Sequence, residues 1–162
     1  MEKRKFEISY GGKVYDAEWS DDTNFEDIKL MGVGGFIFDK KGRLCLIKVQ
    51  DERGWTLPGG GPEPEDNSPE DTLIREVEEE ADMEIKNIQR IGYWKVRPRN
   101  NPKEISYTGR FIAKIKKIKK QTIDPAYGVI PERIFIDPKD LNKYTGWGEN
   151  AEFQLEKALK RI

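Results

Sequence analysis

Residues 59–83, GGGPEPEDNSPEDTLIREVEEEADM, join a triple-glycine turn to one sharply delimited amphipathic helix. Ser68 predicts the helix start, because its hydroxyl can accept from an orphan amide of the first turn, and Pro69 suits a first position that needs no donor. Asp71, three residues later, supplies a weaker version of the capping box, which prefers Glu or Gln. At about 100° per residue, Leu73, Ile74, Val77 and Ala81 fall on one side, the expected core face. Glu76, Glu79 and Glu80 fall on another, at i, i+3 and i+4. Like charges so spaced cost a few tenths of a kcal/mol per pair in an isolated helix, and taken alone they read as a solvated acidic face. The glycine turn changes that reading. Hard divalent cations such as Mg²⁺ take carboxylate and carbonyl oxygens, with room left for water and phosphate. Three carboxylates beside a turn whose backbone permits close approach are suited to such an ion.

These residues resemble the signature of the Nudix hydrolase family, G-x5-E-x7-R-E-U-x-E-E-x-G-U, in which U is bulky and apolar. Arg75, Glu76, Val77, Glu79, Glu80 and Met83 stand in register with its second half. The first half departs from it. Without gaps, Gly61 takes the glycine position and Asn67 the acidic one; with one inserted residue, these become Gly60 and Asp66. Asp82 replaces the second glycine. The preceding text, VGGFIFDKKGRLCLIKVQDERGWTLPGGG, is also similar to the family's approach to its signature. The resemblance implies an α/β/α sandwich with a mixed β-sheet. It further implies hydrolysis of a nucleoside diphosphate linked to another group, supported by Mg²⁺ or, as a substitute, Mn²⁺.

Histidine is absent from all 162 residues. That excludes Ser-His and Cys-His pairs, a histidine general base and histidine-ligated zinc, leaving proton transfer to carboxylates, Lys, Tyr or metal-bound water. Twenty-nine basic against 30 acidic residues give a formal charge of −1, so no nucleic-acid or membrane partner is expected from bulk electrostatics. Cys45, the single cysteine, reads as a small buried hydrophobe rather than a reactive thiol. No signal peptide or spanning apolar run is evident, which points to the cytoplasm.

The order of elements predicts one α/β domain, with residues 1–28 as an N-terminal hairpin and linker and residues 29–162 as the core. KFEISYGGKVYDAEW reads as a β-hairpin about Gly11-Gly12 that packs on the core, covers substrate or makes a homodimer contact. Residues 30–38 and 43–50 form a second hairpin across Lys40-Lys41-Gly42. Gly32-Val33-Gly34-Gly35 is no dinucleotide fingerprint, because a strand follows it. Strands follow the signature helix at NIQRIGYWKVRP, SYTGRFIAKIKKI and ERIFID, then a short helix PKDLNKY and a closing helix ENAEFQLEKALKRI. The lysines of KIKKIKK could hold polyphosphate or RNA, but they read first as a solvated edge strand protected from aggregation.

By resemblance, Glu76, Glu79 and Glu80 hold metal with a carbonyl of Gly59 or Gly60, Glu76 or Glu79 helps to activate water, and Arg75 orients Glu79. Glu149, near the closing helix, is a candidate for the additional acidic catalytic residue some members carry; otherwise it favours the helix dipole. Lys48, Arg97 and Arg99 are candidate phosphate ligands. Among Trp55, Tyr93, Trp94, Tyr144 and Trp147, the last, in an exposed-looking TGWGEN turn, is the candidate for stacking a base. The expected partner is a small nucleotide. The alternative is a Nudix-fold module that binds a nucleotide without cutting it, which the departures at Asp66/Asn67 and Asp82 keep open.

Overall fold

The computed structural model describes residues 3–10, 12–48 and 54–162; Gly11 of the first turn and Val49-Gln50 at the end of the second hairpin lie outside them. The described strands form an eight-stranded mixed sheet. They are β1 (Lys3–Tyr10), β2 (Lys13–Ser20), β3 (Leu30–Phe38), β4 (Leu44–Lys48), β5 (Gly59–Gly60), β6 (Met83–Pro98), β7 (Ser106–Ile118) and β8 (Glu132–Ile136). Their order is β1-β2-β6-β7-β3-β4-β8, with β5 beside β3. β3 and β7 run parallel and the other pairs antiparallel.

Helix α1 (Pro69–Ala81) covers one face, where Leu73, Val77 and Ala81 pack with Val33, Ile37, Ile47 and Phe111. Ile74 does not join them; it is exposed. Helices α2 (Leu141–Thr145) and α3 (Glu149–Leu159) cover the other, over Phe36, Leu46, Trp94 and Ile112. A short 3-10 turn, Pro138–Asp140, leads into α2. This is the expected α/β/α sandwich. No helix among the described residues is long and apolar enough to cross a membrane.

The first hairpin extends the sheet itself, because β2 pairs with β6 from Tyr15↔Pro98 to Ser20↔Tyr93. Phe6, opposite Ala17, packs with Trp94 and Phe153 at ring-centroid distances of 5.7 and 5.2 Å, and Trp19 meets the same two rings at 5.1 and 6.0 Å. Such edge-on contacts favour aromatic pairs beyond the area they bury. In the second hairpin β3 and β4 share the Phe38↔Leu44 pair and then diverge, and β5 takes β4's place beside Val33 and Gly34. This splitting carries the glycine turn into the sheet. The lysine-rich strand β7 is central, not an edge; its basic end is solvated because β3 stops opposite Lys114.

Candidate active site

Ser68 caps α1, its hydroxyl accepting from Asp71 N–H at 3.2 Å, and Pro69 opens the helix. The reciprocal capping bond is shifted by one residue: Asp71 accepts from Asn67 N–H at 3.0 Å, not from Ser68. α1 ends on Asp82, which adopts the left-handed conformation (φ 50°, ψ 48°) in which a glycine is cheapest. Its carboxylate compensates by accepting from the Thr122 N–H (2.8 Å) and hydroxyl (2.7 Å), while Lys119 N–H donates to its carbonyl. The departure from the signature at this position is thus a clamp on the segment after β7.

The acidic side of α1 is not a solvated face. Glu80 is only 4% exposed and accepts from the Gly59 N–H at 2.8 Å. Glu76 lies so close over Gly60 that a Cβ there would collide with its carboxylate. A side chain at Gly59 would strike the Val33 carbonyl, so backbone packing requires glycine there, whereas one at Gly60 would displace the Glu76 carboxylate. Burial pushes the Glu76 carboxyl up to about 7 despite Arg75, with Glu79 and Asp124 adding repulsion. Burial likewise raises Glu79.

Arg75 is the hub. It donates to Asp66 Oδ1 from Nε (3.1 Å) and to Asp66 Oδ2 from Nη2 (2.9 Å), and to the Gly61 carbonyl at 2.8 Å. Its Nη1 reaches Glu76 at 3.1 Å and Glu79 at 3.4 Å. Asp66 also accepts from the Thr72 hydroxyl and the Glu63 N–H, both at 2.9 Å. The bidentate Arg75 contact holds its carboxyl well below the usual range. Asn67 is exposed. Asp66, the acidic residue of the inserted-residue register, is thus the one that meets Arg75, and Asn67 is not.

Oxygen is the donor type throughout this cluster, which suits Mg²⁺ or Mn²⁺. Among the described residues, no three carboxylates already converge on one point that could hold an ion. Arg75 bridges Glu76 and Glu79, and Glu80 is tied to the glycine turn. The fit is one of chemistry and placement, not of a preformed cage.

Asp124, in the segment after β7, is a site residue missed in the sequence. It is 1% exposed and acts electrostatically on both Glu76 and Glu79. Its own signal, DPAYG, reads only as a turn; its carboxylate does accept from the Ala126 N–H two residues on.

The remaining candidates do not gather around α1. Glu149 is an exposed residue of α3, on the other face of the sheet, 3.8 Å from Arg4. Arg97 and Arg99 line a surface cavity of about 550 Å³ over β1, β2 and β6, where Arg99 pairs with Asp16 (2.7 Å) and Glu7 (3.2 Å). Lys48 ends β4, 3.9 Å from Glu132 and over the Trp55 ring. Trp147 is half-buried against the α3-side core, as are Tyr144 and Trp55. Tyr93 and Trp94 belong to the two cores.

The NUDIX domain matches residues 29–154. Among curated proteins, none matches the chain. Solved structures do. A mutant form of the Bacillus subtilis pyrophosphohydrolase BsRppH is 22% identical with a TM-score of 0.72, covering 96% of each chain. The NUDIX domain of Shewanella oneidensis NrtR, complexed with ADP ribose, is 18% identical with a TM-score of 0.62, over 86% of this chain and 92% of that one. A Streptococcus suis ADP-ribose pyrophosphatase is 22% identical with a TM-score of 0.56, over 80% and 89%. At such identities the likeness is one of fold. The domain match, spanning most of the chain and containing the Arg75-Glu76 and Glu79-Glu80 pairs, places this protein in the Nudix hydrolase family.

Proposed function

We propose that this chain is a Mg²⁺-dependent hydrolase of a nucleoside diphosphate linked to another group, with α1 and the glycine turn as its catalytic centre. The observation that carries this reading is the docking of Glu76 and Glu80 onto Gly60 and Gly59. It sets helix carboxylates beside bare backbone where a pyrophosphate can approach.

Glu76, Glu79, Glu80 and a carbonyl of Gly59 or Gly60 would hold the ion, with Asp124 beside them. When bound, Mg²⁺ neutralises the diphosphate and lowers the pKa of an attacking water. The chain's own part is positioning and proton transfer. Arg75, anchored on Asp66 and the Gly61 carbonyl, holds the Glu76 and Glu79 carboxylates in place. Glu76 or Glu79, each with a carboxyl raised by burial, would take the proton from water. Glu149 remains a proposal for the additional acidic catalytic residue, and Lys48, Arg97, Arg99 and Trp147 remain proposals for substrate contact. Of these, Lys48 and Trp147 lie on the α3 side with other half-buried aromatics, whereas Arg97 and Arg99 lie over the outer hairpin.

The second reading, nucleotide binding without cleavage, is favoured by the lack of a preformed carboxylate cage among the described residues. One assay separates the two. Purified protein is incubated with nucleoside triphosphates, ADP-ribose, nucleotide sugars and dinucleoside polyphosphates, with Mg²⁺ or EDTA, and the phosphate products are identified. The hydrolase reading requires metal-dependent turnover that falls about tenfold to a thousandfold in Glu79→Gln, roughly 1.4–4 kcal/mol of barrier. Binding with no turnover on any substrate leaves the binding module.

A further inference from the structure

Arg110 is a cation that the catalytic cluster does not use. It sits on β7 among α3-side residues, half-buried, and its Nε donates to Gln154 Oε1 on α3 at 2.8 Å. Its Nη1 makes a long 3.4 Å contact with the Gly109 carbonyl. No carboxylate of the described residues pairs with it, and its enclosure, uncompensated, brings the guanidinium down to about 10. Nη2 has no partner among the described residues, and no buried side-chain nitrogen or oxygen among them lacks one. That atom is therefore not fully buried. A half-buried guanidinium without a counter-charge is costly to keep unless something acceptor-rich meets it.

The side chains around Arg110 define what that something is. Arginine can only donate, so Gln154 must turn its oxygen to Arg110 and its amide nitrogen away. That nitrogen donates to Asn150 Oδ1 at 2.8 Å. Asn150 must then turn its own NH₂ away from Gln154. The relay Arg110–Gln154–Asn150 thus ends in N–H donors at both ends. Its members on α3 are 8% exposed or less. Gly34, the register neighbour of Arg110, makes room: a Cβ there would lie 2.9 Å from Nη1.

Position relates this relay to the catalytic centre. Gly34 pairs with Arg110 on one side and with Gly59 on the other. The guanidinium strand and the glycine turn are thus two interstrand spacings apart, roughly 10 Å. A phosphate held at the turn would not reach that far; the base of the same nucleotide would do so by passing from the α1 side to the α3 side, where Arg110 meets Gln154. A donor-only lining selects a base edge made of acceptors. Guanine presents the O6/N7 acceptor pair, which arginine binds in a fork, whereas adenine offers a donor at the equivalent exocyclic position. We infer that Arg110, positioned by the Gln154–Asn150 relay, is a specificity-determining residue that receives the acceptor edge of a guanine-type base in the nucleotide substrate. This rests on the proposed function only for the substrate's phosphates; the base site itself is a binding claim.

The test is binding in EDTA, so that the metal site plays no part. Wild-type protein is titrated with GMP, guanosine, AMP and inorganic pyrophosphate by calorimetry. GMP and guanosine should bind more tightly than AMP. Arg110→Gln should weaken both guanine ligands about tenfold or more while AMP and pyrophosphate change much less. Gly34→Ala, which keeps the charge but displaces the guanidinium, should do the same and guards against loss of folding at Arg110; thermal melts verify both. Equal loss of GMP, AMP and pyrophosphate would make Arg110 a phosphate ligand and overturn the inference. So would wild-type protein without guanine preference, or guanine binding untouched by either variant. Guanine binding through Arg110 with no hydrolysis of any substrate would sink the hydrolase reading and leave this one standing.

Discussion

Arg75 donates to both carboxylate oxygens of Asp66 across nine residues of chain, while the neighbouring Asn67 side chain is left exposed. This favours the register with one inserted residue in the irregular first half of the signature. The extra residue lengthens the loop, and Asp66 turns in to meet the helix.

Asp66→Asn should therefore be costly and Asn67→Ala cheap. Removing one partner of a nearly buried pair strands the other's charge, and the Asp66 side chain is 7% exposed. We expect about 2–4 kcal/mol of lost stability at position 66 and less than about 0.5 kcal/mol at position 67. Urea unfolding measures both. Mg²⁺ titration should rank them the same way, and the reverse ranking would restore the ungapped register.

At Asp82, backbone and side chain pull in opposite directions. Glycine would relieve a left-handed conformation worth about 1 kcal/mol but would lose both bonds to Thr122. Asp82→Gly should stay within about 1 kcal/mol of the parent, whereas Asp82→Ala, which keeps the strain and loses the bonds, should cost about 2–3 kcal/mol. Limited proteolysis should cut both variants faster after β7. Equal stability of the alanine variant and the parent would show that the clamp contributes nothing.

Glu70 carries a pH signature away from the Arg75 cluster. Arg90 donates to both its oxygens, at 2.6 and 3.1 Å, joining the first turn of α1 to β6. This holds the Glu70 carboxyl below its ordinary 4.5. The unfolded chain then binds the extra proton first, so the pair's stabilisation is complete above about pH 4.5 and is lost as pH falls through the depressed value. Both side chains are 30% exposed, so the effect is modest, about 1 kcal/mol. Glu70→Gln should be less stable than the parent at pH 7 and should converge with it toward pH 3. A gap independent of pH would mean that the substitution acts through packing.

Metal binding at α1 has a readout that needs no substrate. Mg²⁺ at about tenfold over its Kd should stabilise the native state by roughly 1.4 kcal/mol, a shift of a few degrees at this size. Glu79→Gln with Glu80→Gln should abolish the shift; glutamine at 80 can still accept from the Gly59 N–H, so the fold should survive. Na⁺ at matched ionic strength controls for screening. A shift that persists in the double variant would place the ion elsewhere.

Much of the architecture was legible in the chain because its signals are local. Ser68-Pro69 set the start of α1, Leu73, Val77 and Ala81 its buried stripe, and alternation together with Gly42 the strands about the second turn. The residue types of Arg75, Glu76, Glu79 and Glu80 and their spacing pointed to the Nudix family for the same reason: one helix sets their geometry. What depends on distant chain could not be read this way. Glu80 is buried because β3 and β4 diverge and admit Gly59, and Ile74 is exposed because no strand reaches its side of α1. Asp66 rather than Asn67 meets Arg75 because loop closure, not residue count, decides which carboxylate arrives. Asp124 and Arg110 acquire their surroundings from partners 44 to 48 residues away: Glu76 lies 48 residues before the one and Gln154 lies 44 after the other. Local periodicity fixes which side of its own helix or strand a residue occupies; only the packed sheet decides what stands opposite.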